Sequence, residues 1–355
     1  MRKFIDAEKK NQIYFKHRSE TISFQAHEDG IYKGKSRPFC LPRKYADQNL
    51  YPPIREIAPI FFSDHKIKWH DGWDNKPSNH MCDSQVFCVN FLFPFADKPE
   101  ELTKLLYPAY PNIKQVLPVE GGCFLSFEWI GKENYLGEHI GRNNTRTRGA
   151  HFTSADSIAR FERDDGKIQV TLIEWKYTES YSNNFIRYSK HGTDRGSIYR
   201  HLYDLIDCPI NKDLLPDYDA LFYEPFYQLM RQQLLAREME RAHELEADIV
   251  SLLHIAPSKN KDFDRVTSPM LIGLGETVTD IWSKLLKPQE RFQSIHTEYL
   301  FREFYYEKME SWKEYLQTRY PWLIELPVYQ PELLSKQSES GKAKDNWSEG
   351  IVDRN

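Results

Sequence analysis

Asp156, Glu174 and Lys176 are residue types that together can hold a hard divalent cation and place an ammonium beside it. Two facing carboxylates with no cation between them repel, and one pKa is driven upward. A bound metal relieves that conflict. Oxygen ligands of this kind suit Mg²⁺ or Mn²⁺, which keep several waters and often also bind substrate phosphates. Such a metal acidifies its bound water and clamps a phosphate oxygen as a P–O bond breaks. The lysine would hold or deprotonate the attacking water. The competing, chemically inert expectation is a surface hairpin in which Lys176 pairs with Glu174 or Asp156.

The elements that must position these residues are legible around them. Ser157 to Arg163 and Lys167 to Tyr177 are runs rich in Ile, Val, Phe, Leu and Trp, separated by Asp164-Asp165-Gly166. That pattern predicts a β-hairpin. A turn centred on Asp165 pairs residues whose numbers sum to 330, so Asp156 faces Glu174. Opposed Cβ atoms in such a pair lie about 5 Å apart. Lys176, two residues beyond Glu174, leaves on the same face.

Ser154-Ala155-Asp156 followed by Glu174-Trp175-Lys176-Tyr177-Thr178-Glu179, with Arg148-Gly149-Ala150 upstream, resembles the PD-(D/E)xK nuclease superfamily. Within it the pattern is similar to bacterial restriction-endonuclease-like proteins. Ala155 stands where the superfamily usually has proline, a departure that removes no ligand. The resemblance spans about Asn79 to Trp322, with its specific residues between Glu128 and Glu179. It implies an α/β fold, a restriction-endonuclease-like α-β-β-β-α-β core with a mixed central sheet. It implies Asp156 and Glu174 as metal ligands and Lys176 as the third member of the site. It also implies a further upstream carboxylate as ligand, for which Glu138 and Glu128 are the candidates, Glu138 being favoured.

Around that core, Arg142, Arg146 and Arg148 place three guanidiniums in seven residues just before Asp156, suited to contacting phosphates. A merely solvated loop is the alternative. Glu224 to Glu246 reads as an amphipathic helix, with Gln228, Arg231 and Gln232 on its first turns. In related nucleases Gln and Arg on this helix orient the site or touch substrate. Asp248 to Pro257 is a nearly continuous apolar run, as in a strand covered on both faces, and a helix-to-strand connection there implies a parallel neighbour. Thr267 to Tyr320 reads as largely helical, with one helix from Val278 and another over Gln293–Tyr320.

Upstream, residues 1–78 read as an N-terminal extension, residues 79–330 as the nuclease-like domain with C-terminal helices, and 331–355 as a disordered tail. Lys33, Lys35, Arg37, Arg43 and Lys44, interleaved with Tyr32, Phe39 and Tyr45, form a loose basic cluster. It reads either as a DNA-contacting arm or as a solvated loop. His70, His80, Cys82 and Cys88 match no zinc spacing.

Composition sets the outer bounds. The 355 residues carry a net charge of −4, so there is no global signature of nucleic-acid coating. Any DNA contact must then be a local groove. Five cysteines suit reduced thiols, and no run reaches the ~20 apolar residues of a membrane span. The expectation is a cytoplasmic protein, not membrane-bound, with DNA as partner and room for a homodimer contact in the polar segment 177–219. Two other readings stay open: a non-catalytic nucleic-acid-binding or interaction module on the same fold, and a metal-dependent enzyme acting on RNA or a small phosphodiester.

Overall fold

The computed structural model describes residues 3–140, 145–150, 152–304 and 309–325. Helix α1 (Phe4–Arg18) is followed by a short hairpin, β1 (Gly30–Tyr32) and β2 (Lys35–Arg37), and by α2 (Ile57–Asp64), α3 (Ser84–Leu92) and α4 (Pro99–Leu106). Four strands come next: β3 (Ile113–Leu117), β4 (Leu125–Trp129), β5 (Ala155–Arg163) and β6 (Ile168–Trp175). After α5 (Arg195–Tyr203) and α6 (Phe226–Arg241) the chain forms β7 (Ile249–Ala256), α7 (Lys261–Asp264), α8 (Val278–Lys284), β8 (Phe292–His296), α9 (Thr297–Glu303) and α10 (Glu310–Arg319).

The six strands β3 to β8 make one mixed sheet. β5 lies antiparallel to β3, β4 and β6, while β7 joins β6 in parallel and β8 joins β7 in parallel. The β5–β6 hairpin has the register read from the sequence. Ser157 pairs with Ile173 and Glu162 with Ile168, and Arg163 N–H bonds to Lys167 C=O at 2.9 Å. Gly166 sits at φ +79° and its N–H bonds to Arg163 C=O at 3.0 Å, which closes the turn. The φ > 0 position is why a glycine ends Asp164-Asp165-Gly166.

One correction concerns Gln293–Tyr320, expected as a helix. Its first residues belong to edge strand β8, and two helices follow. Phe292-Gln293-Ser294-Ile295-His296 alternates in exposure along β8, a period of two that the helical residues after it obscure. β3 was likewise not anticipated; it takes the outer half of β5 while β4 takes the inner half, so Leu125 to Trp129 is the second sheet strand rather than the first.

Each face of the sheet carries its own core. Phe161, Ile173, Trp175, Leu253 and Ile255 pack against α1 to α4, α9 and α10. Ile158, Val170, Leu172, Val250 and Leu252 pack against α5, α6 and α8. Because side chains alternate along a strand, Asp156 (two before Ile158) and Glu174 (two after Leu172) lie on the α6 face. Residues 1–78 contribute Phe15, Ile22, Leu41, Leu50 and Phe62 to the first core, alongside Trp312, Tyr320 and Trp322 from the other end of the chain.

The first core also contains a buried polar seam. The Tyr177 hydroxyl donates to Glu8 at 2.5 Å, and the Trp322 indole donates to the same carboxylate oxygen at 2.9 Å. Gln12 donates to the Tyr177 hydroxyl at 3.3 Å. Burial pushes the Glu8 carboxyl above its ordinary pKa, against the hydrogen bonds from Tyr177 and Trp322. The fully buried Arg319 guanidinium donates to Gln12, both the side chain and the carbonyl of Asn49, the Met81 carbonyl and the Tyr315 hydroxyl. The residue after Lys176 is thus held from both ends of the chain. Among the described residues no helix is long and apolar enough to cross a membrane. The tail 331–355 lies outside the described residues.

Candidate active site

A single row of residues crosses the sheet at the open end of the hairpin. The register of β4 on β5 (Phe127 with Ser157, Trp129 with Ala155) puts Glu128 beside Asp156. Continuing the β5–β6 register by one step sets Asp156 opposite Glu174, and Glu174 pairs with His254 on β7. Three carboxylates on adjacent strands therefore share one neighbourhood. Glu128 and Glu174 are 7% and 1% exposed, so water does not screen their repulsion. Burial, then the charges of Glu174 and Glu128, push the Asp156 carboxyl well above its ordinary range. Burial also raises Glu128, against hydrogen bonds from Gln85 and Ser154.

Lys176 closes the group. Its ammonium makes an ion pair with Glu174 and donates to Gln228 on α6 at 2.7 Å. Burial works against the charge, but Glu174, Tyr181, Glu179 and Asp156 outweigh it and hold the Lys176 pKa well above the usual value. In this arrangement Lys176 is an ammonium. It is placed to donate hydrogen bonds and stabilise negative charge. Gln232 on α6 donates to Glu174 and, at 2.8 Å, to the Ser154 carbonyl. The next two turns of one helix thus hold both ends of the Glu174–Lys176 pair, as spacing of i and i+4 allows.

The remaining expected site residues are positioned as follows. Glu138 accepts from the Thr153 N–H (2.9 Å), the Thr153 hydroxyl (2.5 Å) and the Tyr199 hydroxyl (2.8 Å). Arg231 donates to the same Thr153 hydroxyl at 3.1 Å. Both therefore fix the segment that enters β5, and Glu128, not the favoured Glu138, is the upstream carboxylate grouped with Asp156. Arg146 spends its guanidinium on the carbonyls of Ile130, Gly131 and Lys132. Arg148 donates to the Phe127 and Glu128 carbonyls, to Ser126 and, at 2.7 Å, to Glu120. These two arginines, expected on phosphates, are occupied in pinning β4. Arg142 lies outside the described residues.

The reason for that pinning is local. Glu128 takes φ +49° in mid-strand, a left-handed conformation costing about 1–3 kcal/mol in a non-glycine residue. It interrupts the β4–β5 ladder and leaves carbonyls there for Arg148 to bind. Gln85 on α3 supports the same residue. Its amide donates to the Glu128 carboxylate at 2.7 Å and to the Lys68 carbonyl at 3.3 Å, and it accepts from the His70 N–H at 2.7 Å. Sequence reasoning missed Gln85, whose only signal is a polar residue opening an otherwise apolar run. His254 was missed too; burial holds its imidazole neutral, with a pKa down to about 3.

The donor set fits a hard cation in part. Glu174 Oε1 is buried against the Lys176 ammonium. Among the described residues Asp156 receives one hydrogen bond, from the Trp175 N–H to Oδ2 at 2.7 Å. No group of three His, Cys, Asp or Glu side chains is gathered tightly enough to cage an ion among the described residues. Mg²⁺ is commonly held by one or two carboxylates plus waters and substrate oxygens, which is what Asp156 and Glu174 offer.

A family model described as Restriction Endonuclease associating with ARP matches residues 9–321. The chain belongs to that family. The match runs from within α1 to just beyond α10, so the REase-ARP family pattern includes the carboxylate row, Lys176 and most of segment 1–78. No curated protein and no solved structure matches the chain.

The raised carboxyls make a stability prediction for this REase-ARP member. A group whose folded pKa exceeds its unfolded value contributes stability at low pH, and this is lost as pH rises from the unfolded value through the folded one. For Asp156 and Glu128 the loss begins near pH 4, the unfolded range for carboxyls. Asp156→Asn removes one charge and keeps an oxygen for the Trp175 N–H. In chelator, its melting temperature should exceed that of the native protein, by a margin that widens from pH 5 to pH 8. Mn²⁺ should raise the native protein's melting temperature and not the variant's. A constant margin across that range would contradict the buried carboxylate cluster.

Proposed function

We propose that the protein is a metal-dependent DNA nuclease of the PD-(D/E)xK type, a hydrolase of phosphodiester bonds. The observation that carries this is the convergence of Asp156 and Glu174 with an ammonium held on Glu174 and Gln228. Glu174 and Asp156 would hold Mg²⁺ or Mn²⁺, with Glu128 near enough to take part through water. When bound, the metal supplies an acidified water and neutralises charge on the phosphate. Lys176 donates hydrogen bonds to the attacking water and to the phosphate oxygens as charge builds on them. Gln228 and Gln232 keep Lys176 and Glu174 aimed, while Arg148, Gln85 and Ser154 keep Glu128 in place. The order of elements α3, β4, β5, β6, α6, β7 supports the restriction-endonuclease-like core, and the family description supports both that reading and association with ARP.

The test is incubation of supercoiled and linear DNA with the full chain in Mg²⁺, Mn²⁺ or chelator, with RNA in parallel. Cutting of DNA in Mn²⁺ that chelator stops is the expected result. Cutting of RNA alone would move the substrate, and scission of neither would overturn the reading. Opening of the supercoiled circle would also identify endonuclease action.

A further inference from the structure

The basic cluster upstream of the site is joined to it. Residues 31–45 hold five lysines and arginines and no acid; residues 66–76 add three lysines and two aspartates. Eight cations against two anions make a strongly positive face on a chain whose net charge is −4. The two segments pack on each other. The Tyr32 hydroxyl donates to Asp71 at 2.5 Å, Lys33 pairs with Asp71 at 3.3 Å, and Lys76 donates to the Lys44 carbonyl at 3.2 Å. Lys76 also faces Asp47 at 3.9 Å. Lys35, Lys66, Lys68 and Arg43 make no ion pair among the described residues.

This face borders the carboxylate row. Ile67 bridges in parallel with Arg148, and the Lys68 N–H bonds to the Arg148 carbonyl at 3.0 Å. Gly149, at φ +73°, lies so close that a Cβ there would stand 2.4 Å from the Lys68 carbonyl oxygen. The same carbonyl shares the Gln85 amide with Glu128. A chain laid along residues 66–70 therefore runs directly into the site.

Its outer end carries an exposed aromatic. Trp73 is 67% exposed on a loop tip, with the Arg43 guanidinium 5.1 Å from its ring centre, beside a cavity of about 170 Å³ lined by Tyr32, Arg43, Asp71 and Asn79. A large exposed indole beside cations that make no ion pair is how proteins bind unpaired bases: stacking on the ring, phosphates on the cations. We infer that residues 31–45 and 66–76 form a DNA-binding surface for an unpaired strand, Trp73 stacking a base and Arg43, Lys66 and Lys68 lining the phosphate path to the carboxylates. The inference rests on the nuclease reading for the direction of that path, but not for the binding itself.

The experiment separates the two. Binding of fluorescent single-stranded and duplex DNA is followed by anisotropy in chelator, and cleavage is measured separately in Mn²⁺. Trp73→Ala should weaken single-strand binding about tenfold, while Trp73→Phe retains most of it. Arg43→Ala should weaken binding and lower the salt slope by about one. Circular dichroism of each variant checks the fold, which an exposed loop residue should not disturb. Unchanged single-strand affinity in Trp73→Ala, or no DNA binding by the native chain, overturns the surface. Binding that responds as expected, without cleavage of any substrate, would leave the surface standing and sink the nuclease reading alone.

Discussion

Asp156→Ala should reduce Mn²⁺-dependent DNA cleavage by roughly three decades or more while leaving a folded and more stable protein. A metal supplies several kcal/mol of charge stabilisation to phosphoryl chemistry, and each 1.36 kcal/mol is a factor of ten in rate. Asp156 sits in the middle of the carboxylate row, so its loss leaves Glu128 and Glu174 on strands that are not neighbours. Lys176→Ala should abolish cutting equally, with the opposite effect on folding. It leaves Glu174, 1% exposed, with no counter-ion, and breaking a buried pair costs about 3–5 kcal/mol. The pair of variants is therefore more informative than either one alone. Equal loss of activity with opposite shifts in urea midpoint marks two partners of one charged site. Cutting by Asp156→Ala at near the native rate would end the assignment, and destabilisation by that variant would contradict the charge repulsion.

The second large effect is expected far from the carboxylates. Arg319→Leu should cost about 3–5 kcal/mol, against the 5–15 kcal/mol total of an ordinary domain. Arg319 is fully buried, with its donors distributed to Gln12 on α1, Asn49, Met81 and Tyr315. Removing the fork takes the Arg319 donor from the Met81 carbonyl and from the amide oxygens of Gln12 and Asn49, while Asn90 still donates to the Asn49 carbonyl. Arg319→Lys should rescue little, since one ammonium cannot span acceptors arranged for a planar guanidinium. Equilibrium unfolding in urea reads both. A loss under about 1 kcal/mol for Arg319→Leu would show that water reaches the seam.

The parts of the fold legible in the sequence are those set by local patterning. The Asp164-Asp165-Gly166 turn and the period-2 runs beside it determine a register, and that register decides which side chains meet. The nearly continuous apolar run at Ile249–Ala256 likewise shows a strand covered on both faces, and it lies parallel to β6. What was illegible depends on contacts between distant segments. Gln85 meets Glu128 across 43 residues of sequence, and nothing in its neighbours announces that. The basic residues before Asp156 were visible as charges, but charge does not say what it is spent on. Arg148 was claimed by carbonyls beside Glu128, whose positive φ interrupts the β4 ladder, and Arg146 by the carbonyls of Ile130 to Lys132 just past the strand. The choice between Glu138 and Glu128 was equally illegible, because it is the pairing of β4 on β5 that sets Glu128 beside Asp156.

Tyr177, locked to Glu8 and flanked by Tyr320 and Trp322, imposes an order of events on biosynthesis. A nascent chain that has emerged only as far as α8 contains every acidic residue of the row, yet lacks half of the clasp that fixes the neighbour of Lys176. Ribosome-stalled fragments ending before α10 should then lack whatever DNA cleavage the complete chain shows. Cleavage by such a fragment, released and assayed against the complete polypeptide, would show that the clasp stabilises the fold without timing activity.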